Sequence, residues 1–371
     1  MGRTPATNST GLSFDIDRPR GIYRPGDIIS GHIMLDTNAD VHIGNVSVSF
    51  WARSKVKMLQ SAGQSVPVHR GRTLFFHTTE TLYEGQYTHK AGSSGWPFHF
   101  VVPAQADPTC LSGQKSKGNG YFRSTEGNQF DLTLPPTMYH FRNGPANNEC
   151  FVEYVLEARV TEAEDLHRTR SPKVNKSTYP IVFHPSSTPK PIEEYNLLTK
   201  NQLFSITTMR LLPQYTGTML RIRDRARSIF RPRSMPRFSF ILTVQSPTII
   251  QLFHPDPIPF LISVTLDPSS ENRNIAEPYP EIVLRSLKVD LRSWVGYRAD
   301  QYSELTWAST PIHACNMLNQ VLAPTEDGGA PLNIGTLYNF RLGNAILGSQ
   351  ADSQLYPTFT SYDIVRKYLL T

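Results

Sequence analysis

The chain has 371 residues, 39% of them hydrophobic and 18% charged, with 29 prolines and 11% aromatics. This much apolar material builds real cores and excludes a disordered chain, while the length predicts two domains. The net charge of +6 is concentrated: between Arg210 and Arg237 eight arginines face one acid, Asp224, so this segment carries +7 and the rest sums to −1, which argues against the broad basic surface of a nucleic-acid binder.

The first predicted element follows a turn at Tyr23-Arg24-Pro25-Gly26-Asp27. Pro-Gly sets the turn, and in the strand beyond it Ile29, Gly31, Ile33 and Leu35 share one face. Val46 to Trp51 alternates as a strand does, and in Trp96-Pro97-Phe98-His99-Phe100-Val101-Val102-Pro103 the residues Phe98, Phe100 and Val102 alternate against Pro97, His99 and Val101, which turns His99 to solvent. Cys150 to Val160 is a long strand-like run, preceded by a Pro135-Pro136 pair, and Tyr179 to Phe183 is a shorter one. Clusters of Gly, Pro, Asn and Ser separate these runs without any helical periodicity, so a sandwich is expected rather than an α/β fold.

A Ser/Pro-rich break lies at Pro185 to Pro191, and Ser205 to Leu212 is expected to return a strand to the first sandwich. A second β region starts at Arg237 to Val244, continues through Ile258 to Leu266 and Glu281 to Val295, and closes with a short strand at Tyr362 to Leu370.

Other function classes find little footing. The cysteines Cys110, Cys150 and Cys315 are odd in number and far apart, so neither a disulfide framework nor a zinc site is expected, and a reducing, cytosolic compartment follows. No run of eighteen apolar residues predicts a membrane span, and Met1 to Thr10 lacks the apolar centre of a signal peptide. The Asn-x-Ser/Thr triplets at Asn8, Asn45 and Asn175 then read as chance matches. There is no G-x-S-x-G, Walker loop or H-E-x-x-H; the glycine-rich run Gly113 to Gly120 lacks G-K-[ST] and reads as a surface loop. His69, His77, His89 and His99 have no acid or nucleophile at a telling spacing, and Glu162, Glu164 and Asp165 read as a solvated hairpin tip. No enzyme activity, cofactor or metal is expected.

The Tyr-x-Pro-Gly-Asp-x-x-x-Gly motif at Tyr23 to Gly31, the Phe50-Trp51-Ala52-Arg53-Ser54-Lys55 segment, the Trp96 to Pro103 strand and the Pro135-Pro136 pair before the Tyr154 strand together resemble the arrestin N-lobe, more narrowly that of fungal α-arrestin-like proteins. Phe238-Ser239-Phe240, Pro259-Phe260 and Ser361-Tyr362-x-Ile364-x-x-x-Tyr368-x-Leu370 are similar to the second arrestin lobe. The resemblance implies an all-β fold of two tandem immunoglobulin-like sandwich lobes: residues 12–215, a basic linker at 216–236 that is helical on one reading, and residues 237–371. It also implies an adaptor working in the cytoplasm, peripherally at the plasma membrane or endosomes, that binds cytosolic tails or loops of membrane proteins and recruits a HECT-type ubiquitin ligase through P-P-x-Y motifs read by WW domains.

This chain departs from that pattern. It has no P-P-x-Y, since Pro135-Pro136-Thr137-Met138-Tyr139 carries one residue too many, and it ends at Thr371 without the expected motif-bearing tail. The nearest substitute is Leu212-Pro213-Gln214-Tyr215, in which Leu212, Pro213 and Tyr215 are the candidate WW-binding residues; a strand end running into a turn is the plainer account of them. A ligase-independent endosomal sorting scaffold, similar in fold to the arrestin-like retromer subunit, is the alternative.

The arginine segment carries three readings. On a helical projection Met219, Ile222, Ala226, Ile229 and Phe230 form an apolar side, with Arg221, Arg223, Arg225 and Arg227 around it and Arg231 and Arg233 following. Such a segment suits an interlobe connector with its arginines in water, an anionic lipid surface, or an acidic or phosphorylated peptide gripped by guanidinium forks.

Overall fold

The computed structural model describes residues 3–7, 9, 11–19, 21–59, 67–112, 132–142, 147–163, 173–185, 190–212, 215, 222, 235–252, 254–267, 275, 279–299, 302–324, 329–342 and 355–371. Sixteen strands are named among them: β1 (Leu12–Ile16), β2 (Ile28–Thr37), β3 (Val41–Leu59), β4 (Val68–His89), β5 (Gly92–Val101), β6 (Met138–Arg142), β7 (Asn148–Glu162), β8 (Val174–Ile181), β9 (Leu197–Thr207), β10 (Arg237–Pro247), β11 (Leu261–Leu266), β12 (Ile282–Ala299), β13 (Tyr302–Leu322), β14 (Leu332–Asn333), β15 (Phe359–Thr360) and β16 (Ile364–Leu370). Two short helices, α1 (Pro108–Ser112) and α2 (Ile334–Leu337), join them. The fold is all-β, built from antiparallel sheets.

The chain divides into two compact units. The first comprises Met1–Thr188, Leu291–Ser309 and Ser349–Leu370; the second comprises Pro189–Asp290, Thr310–Gly348 and Thr371. In the first unit, one sheet runs β1-β2-β5 and the other β4-β3-β7-β6, with β8 paired to β7. Between them lies a core that draws Ile29, Ile33 and Leu35 from β2, Val48, Phe50 and Ala52 from β3, Phe98 and Phe100 from β5, and Tyr154 and Leu156 from β7. Each fully buried side chain of this size contributes about 1.5–3 kcal/mol. His99, between the two buried phenylalanines, is exposed as expected.

Local physics explains the motif residues. Gly26 sits at φ +82°, and the Asp27 N–H donates to the Arg24 carbonyl at 3.1 Å while the Arg24 N–H donates to Asp27 Oδ2 at 2.9 Å. Proline second and glycine third make this a turn of type II. Gly31 is required for a different reason: a Cβ there would stand 2.1 Å from the Asp15 carbonyl oxygen of the paired strand β1, whose Ile16 lies opposite Gly31. The Pro135-Pro136 pair presents the Pro135 carbonyl to the buried Tyr154 hydroxyl, which donates to it at 2.5 Å.

In the second unit, the sheet order is β14-β11-β10-β9, over a core of Phe238, Phe240, Ile262, Val264, Ile275, Leu322 and Ile334. The expected return of Ser205 to Leu212 to the first sandwich is overturned. β9 instead pairs with β10 along its whole length, from Arg237↔Thr207 to Pro247↔Leu197, and Met209–Leu211 is a 3₁₀ turn capped by the Thr208 hydroxyl. Eleven residues of continuous ladder hold β9 to this sheet, so the chain has already left the first unit. The closing strand β16 pairs with β12, from Leu291↔Leu370 to Tyr297↔Ile364, and both partners lie in Leu291–Ser309 and Ser349–Leu370 of the first unit.

Candidate functional site

Strand alternation sorts β3 into two faces. Val46, Val48, Phe50, Ala52, Val56 and Met58 enter the core, so Trp51, Arg53, Lys55 and Lys57 project from the opposite face of the sheet. Register with β4 places Lys55 directly opposite Arg72 and Lys57 opposite Arg70. On the other side, β7 sets Glu153 opposite Arg53, Phe151 opposite Lys55 and Glu149 opposite Lys57. Two like-charge cross-strand pairs stand side by side, an arrangement that costs stability unless an anion sits over it.

Glu153 is the centre of the patch. The Arg53 Nε–H donates to its Oε1 at 2.6 Å, the Thr4 N–H to its Oε2 at 2.6 Å, and the Thr4 hydroxyl to Oε1 at 3.2 Å. Arg53 Nη2 also donates to Thr4 Oγ1 at 3.0 Å, and its guanidinium stacks 4.3 Å over the Trp51 ring. Lys55 reaches Glu153 Oε1 only at 4.0 Å, over the Phe151 ring at 5.7 Å. It is 8% exposed and makes no hydrogen bond among the described residues. Burial, then the Arg53 charge, push the Lys55 ammonium below the usual lysine range; Glu153 offsets this in part and Arg72 adds to it. Arg53 is shifted down as well, chiefly by burial, with Glu153 opposing.

Glu157 on the same strand shows what a satisfied carboxylate looks like. Arg159 approaches its Oε1 at 2.5 Å and Lys176 its Oε2 at 2.7 Å. Burial works to raise its pKa, yet the bonds from Lys176 and Arg159 outweigh it and hold the carboxyl below the usual range. Each of the two carboxylates faces two cations; both lie within 2.7 Å of Glu157, whereas at Glu153 Lys55 stands off at 4.0 Å.

A separate cavity of about 300 Å³ opens beside Phe50, Phe76 and Phe100, with Thr78, His99 and Asp107 at its rim. Asp107 accepts from the Thr109 hydroxyl at 2.7 Å and the Thr109 N–H at 2.8 Å, which lower its carboxyl below the usual range. This chamber suits an apolar group and lacks a paired acid and base.

The candidate residues expected from the sequence are placed unevenly. Arg221, Arg223, Arg225, Arg227, Arg231, Arg233 and Pro213 lie outside the described residues, as do Gly113 to Gly120. Leu212 and Tyr215 are both half-buried, and the Tyr215 N–H donates to the Leu212 carbonyl at 3.0 Å, closing a turn. The three cysteines form no disulfide. Among the described residues no group of His, Cys, Asp and Glu is placed to hold a metal, and no helix is long and apolar enough to cross a membrane. The patch around Glu153 escaped segment-by-segment charge counting, because its cations alternate with apolar and acidic residues along two strands. The available signal was the spacing itself: Arg53, Lys55 and Lys57, then Arg70 and Arg72, each two apart.

Comparison with known proteins bears on this fold. A search of curated proteins returned no match. The family profile described as arrestin (or S-antigen), N-terminal domain, matches residues 12–177, a range that runs from β1 into β8 and so contains the turn at Gly26, Gly31 and the β3, β4 and β7 residues of the Glu153 patch. Residues 12–177 are an arrestin N-terminal domain, and the chain is an arrestin-like protein.

Proposed function

We propose that this protein is a non-enzymatic adaptor in membrane-protein trafficking, binding cytosolic tails or loops of membrane proteins from the cytoplasmic side of the plasma membrane or endosomes. The arrestin N-terminal domain supports the adaptor reading. The observation that carries cargo binding is the pair of like-charge couples on β3 and β4: Lys57 with Arg70, and Lys55 with Arg72. Arg70 and Arg72 are exposed, so an acidic segment laid across these strands meets several cations at once and relieves their mutual repulsion. The arginines from Arg221 to Arg233 are proposed to extend the same preference toward acidic or phosphorylated segments or anionic lipid. Recruitment of a HECT-type ubiquitin ligase is proposed to run through Leu212, Pro213 and Tyr215.

Endocytosis of membrane transporters tests the reading. Deletion of the protein is expected to leave a subset of transporters at the cell surface, and the double variant Arg70→Glu, Arg72→Glu to fail to restore their uptake. Uptake unchanged by deletion would refute it.

A further inference from the structure

Residues 4–7 lie as a short strap against the outer edge of β8 and against Glu153 of β7. The Thr7 N–H donates to the Thr178 carbonyl at 3.0 Å and the Thr178 N–H returns the bond to the Thr7 carbonyl at 2.9 Å. This antiparallel rung stands on the side of β8 that faces away from β7. The Ser177 hydroxyl donates to the Thr7 carbonyl at 2.6 Å and the Thr178 hydroxyl to the Pro5 carbonyl at 2.7 Å. At the other end the Thr4 N–H donates to Glu153 Oε2 at 2.6 Å and the Thr4 hydroxyl to Oε1 at 3.2 Å. Arg53 Nη2 donates to the same hydroxyl at 3.0 Å.

The receiving groups are built into the sheet. Ser177 is 0%, Thr178 3% and Glu153 4% exposed, and the ladder from Tyr154↔Ile181 to Thr161↔Val174 fixes β8 on β7. The strap brings no apolar anchor, since Pro5, Ala6 and Thr7 are exposed. Hydrogen bonds therefore hold it, and each exchanges for a bond to water at small net gain. A segment that repeats those bonds can take its place, in the manner of a strand added to a sheet edge. Two features set what fits. Pro180, two residues past Thr178, has no N–H, so a strand added to this edge stops pairing there. At the Thr4 end the acceptor is a buried carboxylate already paired with Arg53 at 2.6 Å, which takes an N–H and a hydroxyl but repels a phosphate.

We propose that the edge of β8 and Glu153 form a peptide-docking groove, filled in this structure by residues 4–7 as a stand-in. Its partner is an extended segment of another protein with the pattern hydroxyl residue, proline, any residue, hydroxyl residue. The first hydroxyl residue gives its N–H and O–H to Glu153, as Thr4 does. The proline keeps the backbone before it out of a helical turn. The last residue makes the backbone rung with Thr178, as Thr7 does, and the residue between them points to water like Ala6. Glu153 selects the unmodified segment, because a phosphate on the first hydroxyl would bring about two negative charges against the carboxylate. The strap competes with the partner and lowers its apparent affinity by the fraction of time it is seated. This groove is separate from the cation pairs of β3 and β4 and stands whether or not those hold acidic cargo.

The test uses the full chain and a fluorescein-labelled peptide, Arg-Thr-Pro-Ala-Thr, copied from residues 3–7, with binding read by fluorescence polarisation. The variant Thr4→Ala, Thr7→Pro loosens the strap and leaves the groove intact. It is expected to bind the peptide about tenfold more tightly than the wild type. Adding Thr178→Val, which removes the hydroxyl that bonds the Pro5 carbonyl, is expected to weaken that binding about tenfold. Ser177→Ala, which leaves the ladder untouched, is expected to act in the same direction. A phosphate on the peptide's first threonine is expected to abolish binding. No binding to the loosened variant, binding unchanged by both Thr178→Val and Ser177→Ala, or tighter binding of the phosphorylated peptide would each overturn the proposal. So would a wild-type dimer that the peptide dissociates, since a second copy would then be the occupant.

Discussion

The Ser54 hydroxyl donates at 3.2 Å to the carboxylate of Asp363, a residue 309 positions later in the chain. Thr73 on the neighbouring strand donates to the same oxygen, so β3 and β4 share one acceptor at the start of β16. Burial raises the Asp363 carboxyl above its usual range, against the hydrogen bonds of Thr73 and Ser54 and the charge of Arg298, which pull it down. A raised acid favours the folded state most when protonated. Stability contributed at this site is therefore greatest at low pH and declines as pH rises from 3.8, the ordinary carboxyl value, through the raised folded value. Asp363→Asn keeps an acceptor for both hydroxyls and is expected to flatten that decline, whereas Asp363→Ala leaves two buried donors unpaired and costs about 1–3 kcal/mol. Urea unfolding of the three proteins between pH 4 and pH 7 measures both effects, those two limits being about the carboxylate and neutral ranges.

Tyr154→Phe removes the donor to the Pro135 carbonyl while keeping the ring that packs 4.5 Å from Phe183. The carbonyl is left without this bond, and the expected loss is about 1–2 kcal/mol in thermal or urea unfolding. A loss indistinguishable from zero would show that the bond plays no part in holding the Pro135-Pro136 element.

Gly31→Ala forces β1 away from β2, since the added Cβ would lie 2.1 Å from the Asp15 carbonyl oxygen and 2.9 Å from the Ile16 Cα. Both contacts are backbone atoms that cannot rotate aside. The expected cost is about 1–3 kcal/mol, with hydrogen exchange accelerated at Phe14 and Ile16 more than in β7.

The turn at Leu212 sets a test of ligase recruitment. A WW groove takes an extended Pro-Tyr segment, so docking must break the bond from the Tyr215 N–H to the Leu212 carbonyl. Leu212 itself already lies at φ −89° and ψ 136°, close to polyproline geometry. On a WW-domain array, Tyr215→Ala is expected to abolish capture. Leu212→Pro creates a P-P-x-Y element and is expected to strengthen capture, although it removes the N–H that bonds to the Met209 carbonyl at 3.1 Å.

The sequence was most readable where one residue type answers one geometric demand. Gly26 at positive φ, Gly31 against the paired strand β1 and Tyr154 bonded to a proline carbonyl are local or nearly local solutions, and the alternation at Phe98 and Phe100 reports the core face directly. β4 and β13 were missed because they are long strands rich in Thr, Ser, Glu and Arg, without a sustained apolar face; their ladders come from partners distant in sequence. β9 was assigned to the wrong sheet for the same reason, since its exposed residues carry no mark of which strand they will pair with. The Glu153 patch depends on register: only when Lys55 meets Arg72, and Thr4 reaches Glu153 on a strand 149 residues away, does it become visible.

Direct capture of cargo segments tests the adaptor reading at its root. The purified chain is titrated onto a tiled array of cytosolic segments from plasma-membrane transporters, alongside the Arg70→Glu, Arg72→Glu variant, at low and high salt. The account predicts capture of acidic segments that weakens with salt and is lost in the variant. Capture of no segment, or capture that ignores both salt and charge reversal, would contradict it.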